Sequence, residues 1–178
     1  MKAAVYDKHG APSEVITVKL VTIPKILRDD YVIVRVHASG MNPVNFKLVE
    51  GRLGVASPKL PAIDGLDVAG VIEQVGKNCR RLKVGDAVWG KAPLSGGTGT
   101  FAEFALLPEN CLVAKPEEIS FVEAAGLGVV ALTGYQALVQ VGQVKKGQKI
   151  LILGGSGGTG SFAIQLAKHV CEAYVATT

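Results

Sequence analysis

The run Gly154-Gly155-Ser156-Gly157-Gly158-Thr159-Gly160 limits what this chain can fold into more than any other stretch. It follows an apolar run over residues 150–153 and precedes an amphipathic segment over residues 161–169. Strand, glycine loop, then helix is the order a phosphate-binding turn requires. Glycine tolerates positive φ and lets an anion reach the backbone with no Cβ in the way. The first N–H groups of the helix lack intrahelical partners and lie at the positive end of its dipole, so they suit an anion. Gly155, Gly157 and Gly160 satisfy G-x-G-x-x-G, and Ser156, Gly158 and Thr159 complete the loop. The plain alternative is a glycine-rich turn that joins a strand to a helix and binds nothing.

The 178 residues suffice for one large domain or two small ones. Hydrophobic residues make up 48% and charged residues 19%, the composition of a chain that forms a core. The net charge of +4 is spread out, apart from Arg80-Arg81-Leu82-Lys83 and the Lys145, Lys146, Lys149 group, which flank turns. No aromatic residues interleave with these basic groups, which argues against a nucleic-acid partner. Cys79, Cys111 and Cys171 lie far apart, without zinc spacing or the even count of a disulfide framework. They point to a reducing compartment, and a cytoplasmic location is the expectation. The N-terminus lacks the apolar core of a signal peptide. The longest apolar run, near residues 126–132, is broken by glycine and too short to span a bilayer.

Strands are expected over residues 2–6, 15–22, 31–39, 67–75, 87–89, 101–107 and 112–114, with a glycine-rich loop over 90–100. In the third strand Val32, Val34 and Val36 point one way and Ile33, Arg35 and His37 the other. This is the pattern of a half-buried antiparallel strand with His37 solvated. Asn42 caps a short helix that Pro43 begins and that runs to Leu48, with Lys47 in its second turn. Many short strands and few helices argue a compact β domain over residues 1–120. Ser120-Phe121-Val122-Glu123 is a capping box. Helices over 121–127 and 130–141 follow, then a β-α-β unit ending in a buried strand over 173–177. The fold class is therefore mixed β and α/β, with a second domain over 121–178. Two strands and one crossover helix leave apolar surface open, so the sequence reads as the N-terminal part of a longer chain.

This organisation resembles the medium-chain dehydrogenase/reductase superfamily. The matching stretches are Ala38-Ser39-Gly40-Met41-Asn42-Pro43-Val44-Asn45, Asp67-Val68-Ala69-Gly70-Val71-Ile72, Val84-Gly85-Asp86-Ala87-Val88, Phe101-Ala102-Glu103-Phe104, Ala131-Leu132-Thr133-Gly134-Tyr135-Gln136-Ala137-Leu138 and the glycine loop. Within the superfamily the chain is similar to the zinc-independent quinone oxidoreductases of the zeta-crystallin type. The resemblance implies a GroES-like β-barrel domain, then the first, incomplete β-α-β part of a Rossmann domain. Zinc alcohol dehydrogenases of the superfamily carry a cysteine where Asn42 stands and a His-Glu pair where Leu66-Asp67 stand. Asparagine and leucine cannot replace a thiolate and an imidazole as zinc ligands. The family's cysteine-rich zinc lobe would fall near residues 90–100, which contain no cysteine. No metal is expected at either place. Without a Lewis acid an alkoxide loses its stabiliser. Hydride transfer to a quinone or an α,β-unsaturated carbonyl remains, because the acceptor's own framework spreads the charge and a few donors steady its oxygen.

The resemblance makes Asn42 the catalytic residue and a cofactor contact, its amide donating to the cofactor or to the substrate oxygen. On the residues alone it is a helix cap, and the two roles can coexist. Asn42-Pro43-Val44-Asn45-Phe46-Lys47 resembles a stretch of chloroplast-envelope quinone oxidoreductase homologues in which the lysine contacts the dinucleotide. Taken alone, Lys47 is an exposed surface lysine. By resemblance Thr133 faces the nicotinamide; otherwise it bonds a carbonyl within its own helix. NAD-preferring turns hold Asp or Glu about 20 residues beyond the glycines. Here Ala176-Thr177-Thr178 stand, so Thr177 and Thr178 are expected to meet a 2′-phosphate and NADPH is the expected cofactor. His9, His169 and the cysteines read as surface or structural residues.

The expected function is zinc-independent, NADPH-dependent reduction of quinones or enones, with these residues alone inactive because the rest of the nucleotide site lies downstream. The alternative is a non-catalytic NADPH-binding or structural relative of the same fold. A small-molecule substrate is the expected partner, and a homodimer is compatible with the full-length protein.

Overall fold

The computed structural model describes residues 1–94 and 98–178. Residues 95–97, inside the glycine-rich loop expected over 90–100, lie outside the described residues. Contacts divide the chain into two compact units, Met1–Gly128 and Val129–Thr178.

The first unit opens with β1 (Lys2–Tyr6). A strand is expected over residues 15–22, but the segment begins with the helical turn α1 (Pro12–Val15), and only β2 (Thr17–Leu20) is extended. Pro12 stands at the first helical position, where its missing N–H costs nothing and its φ is already set. There follow β3 (Tyr31–Ala38), α2 (Pro43–Val49), β4 (Ala62–Ile63), β5 (Asp67–Val75), β6 (Ala87–Lys91), β7 (Phe104–Pro108), β8 (Leu112–Ala114) and α3 (Phe121–Ala125). A five-stranded antiparallel sheet has the order β7-β3-β5-β6-β8, and a three-stranded sheet the order β2-β1-β4.

The expected β-barrel is not closed among the described residues. The two sheets are linked by one isolated bridge, Ala3 to Ala102, instead of a continuous ladder, and β7 and β8 remain separate edges. The expected strand over 101–107 shortens to Phe104–Pro108 for the same reason: its first residues leave the ladder to make that bridge. Irregular register at Ile33/Val34 and Val36/Ala38 bends β3, as bulges do.

β3 also departs from simple alternation. Tyr31, Val32, Ile33 and Val34 are all buried, and in and out alternate only from Arg35. A central strand covered on both faces reads as a continuous apolar run. Val32, Val34, Val68, Ile72, Val88, Leu107 and Leu112 form the main core. Each such fully buried side chain contributes roughly 1.5–3 kcal/mol. A second cluster joins Tyr6, Val15, Val49 and Ala62. The third joins Ala69, Ala124 and Ala125, through which α3 packs on β5. The capping box of α3 forms as expected: Ser120 Oγ accepts from the Glu123 N–H at 3.2 Å, and Glu123 accepts from the Ser120 N–H at 2.7 Å. His37 is exposed and stacks on Phe121 with ring centroids 4.4 Å apart.

α4 (Gly128–Tyr135) begins at the boundary of the two units and runs into a π-helical turn, Gln136–Val141, instead of staying α-helical to residue 141. In the second unit β9 (Lys149–Ile152), α5 (Gly158–His169) and β10 (Tyr174–Thr177) make one parallel β-α-β unit. Ala163 and Ala167 are buried on α5, beside Cys171 and Ala173 in the chain that leads to β10. The expected burial of β10 is not realised: Val175 is half-buried and the rest of the strand exposed. Each strand has a single neighbour, and Leu151 and Tyr174 are 62% and 67% exposed. No helix among the described residues is long and apolar enough to cross a membrane.

Candidate functional site

The residues expected to hold a cofactor fall in both units. In the first, Asn42 and Lys47 are set by α2. Asn42 is its N-cap, in an extended conformation, and is only 9% exposed. Its backbone N–H donates to Asn45 Oδ1 at 2.8 Å, while its side-chain amide donates to Asp67 Oδ2 at 2.7 Å. Asn45 turns its own amide to Asp64 Oδ1 at 3.0 Å. Two buried asparagines thus donate to two buried aspartates, with Asn45 3%, Asp64 5% and Asp67 1% exposed.

Asp67 is held by space as well as by hydrogen bonds. A Cβ on Gly40 would stand 2.8 Å from its Oδ2, and one on Gly128 would stand 2.4 Å from its Oδ1. Glycine at both places makes room for the carboxylate. The Ser39 hydroxyl donates to the Asp67 carbonyl at 2.6 Å and lies 2.8 Å from the buried Thr100 hydroxyl. Lys47 is exposed in the last turn of α2, where a cation favours the helix dipole. Its ammonium has no hydrogen-bond or ion-pair partner among the described residues.

In the second unit the glycine loop leads from β9 into α5. The helix starts at Gly158, three residues earlier than the amphipathic pattern indicates, so Gly158, Thr159 and Gly160 are its first turn. Gly157 is the N-cap; no side chain caps this end and no acidic residue stands in the first turn. Gly155 and Gly160 are buried, whereas Ser156, Gly157, Gly158 and Thr159 are exposed. A Cβ on Gly160 would lie 2.1 Å from the Gly154 carbonyl oxygen, and one on Gly155 would lie 2.0 Å from Thr177 Oγ1. The loop folds this tightly only with glycine there. An uncapped, uncharged helix N-terminus behind an exposed glycine turn fits an anionic group such as a pyrophosphate.

Thr177 and Thr178 lie at that loop but are engaged within it. Thr177 Oγ1 donates to the Ile152 carbonyl at 2.8 Å. The Gly154 N–H donates to Thr178 Oγ1 at 3.2 Å, and the Gly155 N–H to the Thr178 carbonyl at 3.0 Å. Thr133 is exposed on α4 and its hydroxyl donates to the Val129 carbonyl at 2.7 Å, the bond of an internal helical threonine.

Among the described residues no group of three or more His, Cys, Asp or Glu side chains stands where it could hold a metal ion. Asn42 and the buried Leu66 occupy the places that resemblance gives to a thiolate and an imidazole. The adjoining carboxylate of Asp67 takes the Asn42 amide. Burial pushes the thiols of Cys79 and Cys111 above their ordinary range, which disfavours the reactive thiolate.

Sequence reasoning passed over Asn45, Asp64 and Tyr6. The N-x-x-N spacing of Asn42 and Asn45 was a readable signal, since a residue three after an N-cap can return to its N–H. Asp64 and Tyr6 carried none, because only the fold brings them together.

The family model for the alcohol dehydrogenase GroES-like domain matches residues 28–117, just over half of the chain. The chain is 39% identical to the 2-methylene-furan-3-one reductase of Solanum lycopersicum over 175 residues, covering 96% of this chain and 45% of that protein. It is 38% identical to the chloroplastic NADPH-dependent alkenal/one oxidoreductase of Arabidopsis thaliana, with the same coverage of both chains. The solved quinone oxidoreductase of Coxiella burnetii superposes with a TM-score of 0.88 at 33% identity, covering 99% of this chain and 56% of that one. The chain thus spans about half the length of the curated relatives it matches. The matched model, the relatives and the superposed fold agree that this chain belongs to the alcohol dehydrogenase GroES-like family, in the medium-chain dehydrogenase/reductase superfamily beside the quinone oxidoreductases.

Proposed function

We propose that the chain carries part of an oxidoreductase that uses NADPH to reduce quinones or α,β-unsaturated carbonyls without zinc. The observation that carries the reading is the uncapped N-terminus of α5 behind the buried glycines Gly155 and Gly160. There the N–H groups of the first helical turn receive the pyrophosphate, and Ser156, Gly157, Gly158 and Thr159 offer an exposed surface to it. Thr177 and Thr178 border the place where a 2′-phosphate would lie, with no carboxylate to repel it. We also assign Lys47, whose ammonium has no partner among the described residues, to cofactor binding. Thr133 borders the nicotinamide through its methyl group, its hydroxyl being bonded within the helix. The bound nicotinamide supplies the hydride. Asn42 is the catalytic residue: one amide N–H is held by Asp67, which fixes the side chain and leaves the second N–H to steady the developing charge on the substrate oxygen. The first unit thus holds the catalytic donor and the second the pyrophosphate turn. The names of the relatives, an alkenal/one oxidoreductase that depends on NADPH and a furanone reductase, support this substrate class.

A cofactor titration tests the reading. NADPH fluorescence should change saturably, Lys47→Ala should weaken binding, and NADH should bind less tightly. Absence of saturable binding to a chain extended to the length of the relatives sinks the proposal. Binding of NADPH with no oxidation by a quinone or an enone, in a chain extended to the length of the relatives, would leave a non-catalytic nucleotide-binding role.

A further inference from the structure

The second unit carries its charge at one end. Its charged side chains are Lys145, Lys146, Lys149, Lys168 and Glu172, four lysines against one glutamate, with His169 next to Lys168. All four lysines are exposed. The fold gathers them, because the turn over residues 145–148 leads into β9 while Lys168 and His169 close α5. The Gly147 N–H donates to the Glu172 carbonyl at 3.0 Å, and the Tyr174 N–H to the Gln148 carbonyl at 2.8 Å, so the two segments meet. The turn is fixed as well. The Lys145 N–H donates to Gln148 Oε1 at 2.9 Å, and Gly147 takes a φ of 79° that suits only glycine. Glu172 pairs with Lys146, and the ammonium groups of Lys145, Lys149 and Lys168 have no ion-pair partner among the described residues.

The glycine loop does not account for this charge. It stands at the other end of α5, and Lys168 lies roughly 15 Å along the helix axis from Gly158. An anion at the helix N-terminus is therefore not the partner of these lysines. Apolar groups share their end: Val170 is 66% and Tyr174 67% exposed, and Tyr174 is in register with Lys149. Cations on long alkyl stems, beside an exposed valine and tyrosine, fit a surface whose anions overlie hydrocarbon. The ammonium groups meet the headgroups, while the stems and apolar side chains enter the boundary below. A nucleic acid or an acidic peptide would answer the charge alone. We propose that this end of the second unit docks on an anionic lipid bilayer as a peripheral contact, with no spanning helix. This docking needs neither NADPH nor substrate and is independent of the reductase reading.

Vesicle co-sedimentation tests the proposal, with the chain extended to the length of its relatives. Vesicles of equal parts phosphatidylcholine and phosphatidylserine should bind the protein, and phosphatidylcholine alone should not. Added salt should weaken the binding. The triple variant Lys145→Gln, Lys149→Gln, Lys168→Gln should lose about 100-fold in affinity, roughly five-fold for each lysine. Arginine at the same three positions should keep it. A second triple, Lys8→Gln, Lys25→Gln, Lys77→Gln, removes the same charge from exposed positions of the first unit and should bind as the wild type does. Failure to bind the mixed vesicles, equal binding to both compositions, full retention by the first triple, or equal loss in the two triples overturns the proposal. So does retention on heparin or polyglutamate without vesicle binding, which gives this end a nucleic-acid or acidic-protein partner instead. NADPH affinity should be the same in the first triple as in the wild type, because the glycine loop is untouched.

Discussion

Asn42 and Asp67 meet side chain to side chain, the amide of one donating to the carboxylate of the other at 2.7 Å in the interior of the first unit. A buried carboxylate is kept by its donors, and Gly40 and Gly128 leave it no room to turn away. The pair ties the start of α2 to the start of β5, so the helix that bears Lys47 is anchored at its N-cap.

Removing that donor should be costly. Asn42→Ala is expected to destabilise the chain by about 1.5–3 kcal/mol, the range for a hydrogen bond to a charged group. Asn42→Asp sets two carboxylates together and should cost more at neutral pH, with partial recovery in acid. Urea denaturation measures both. A loss below about 0.5 kcal/mol for Asn42→Ala, the scatter of ordinary surface changes, would show that the amide does not hold Asp67.

Two glycines of the loop should separate folding from binding. In Gly160→Ala the new Cβ meets the Gly154 carbonyl oxygen at 2.1 Å, a backbone atom, so both melting temperature and NADPH affinity should fall. In Gly157→Ala the nearest atom is 3.4 Å away and φ is −79°, so stability should stay within about 0.5 kcal/mol. Its NADPH affinity should still drop, because a methyl group then covers the anion's approach. Unchanged affinity in Gly157→Ala would remove the pyrophosphate from this loop.

Tyr6 should make the fold sensitive to alkali. Burial, with the neighbouring Asp64 charge, pushes its hydroxyl from 10.0 up to about 12. The unfolded tyrosine ionises first, so this contribution is complete below pH 10 and disappears as pH rises toward 12. The loss across that window should be on the order of 2 kcal/mol. Denaturation curves at stepped pH should show it, and Tyr6→Phe should flatten the slope. An identical slope in wild type and variant would contradict the burial of this hydroxyl.

The cap of α3 offers a local measurement. Ser120→Ala removes the acceptor for the Glu123 N–H and should cost about 1 kcal/mol. The same change should let the Glu123 carboxyl rise part of the way from its depressed range, because the Ser120 backbone N–H still holds it down and only the hydroxyl donor is lost. Carbon-13 NMR titration of that carboxyl reads the second effect directly.

Local chemistry was legible in the sequence wherever one segment sufficed to specify it. The capping box at Ser120, the start of a helix at Pro43, the long strand at Asp67–Val75 and the glycine turn before α5 each follow from a few adjacent residues. Glycine and proline act on their own backbone, and a cap acts over three residues, so no distant partner is needed. The start of α5 at Gly158, and the turn of helix at Pro12–Val15, were less legible because turn residues and strand formers overlap there.

The tertiary structure alone decided which polar groups share the interior. Asp67 is 25 residues from Asn42, and Asp64 is 19 from Asn45, yet each pair meets at hydrogen-bond distance. It also decided that the sheets stay open, since closure depends on pairing between strands far apart in the chain, and here one bridge at Ala3 and Ala102 takes the place of a ladder. The buried hydroxyls of Tyr6 and Ser57, which have no hydrogen-bond partner among the described residues, belong to the same class of fact. A side chain's partners, or its lack of them, are set by what long-range packing brings within about 3 Å, and no local pattern encodes that distance.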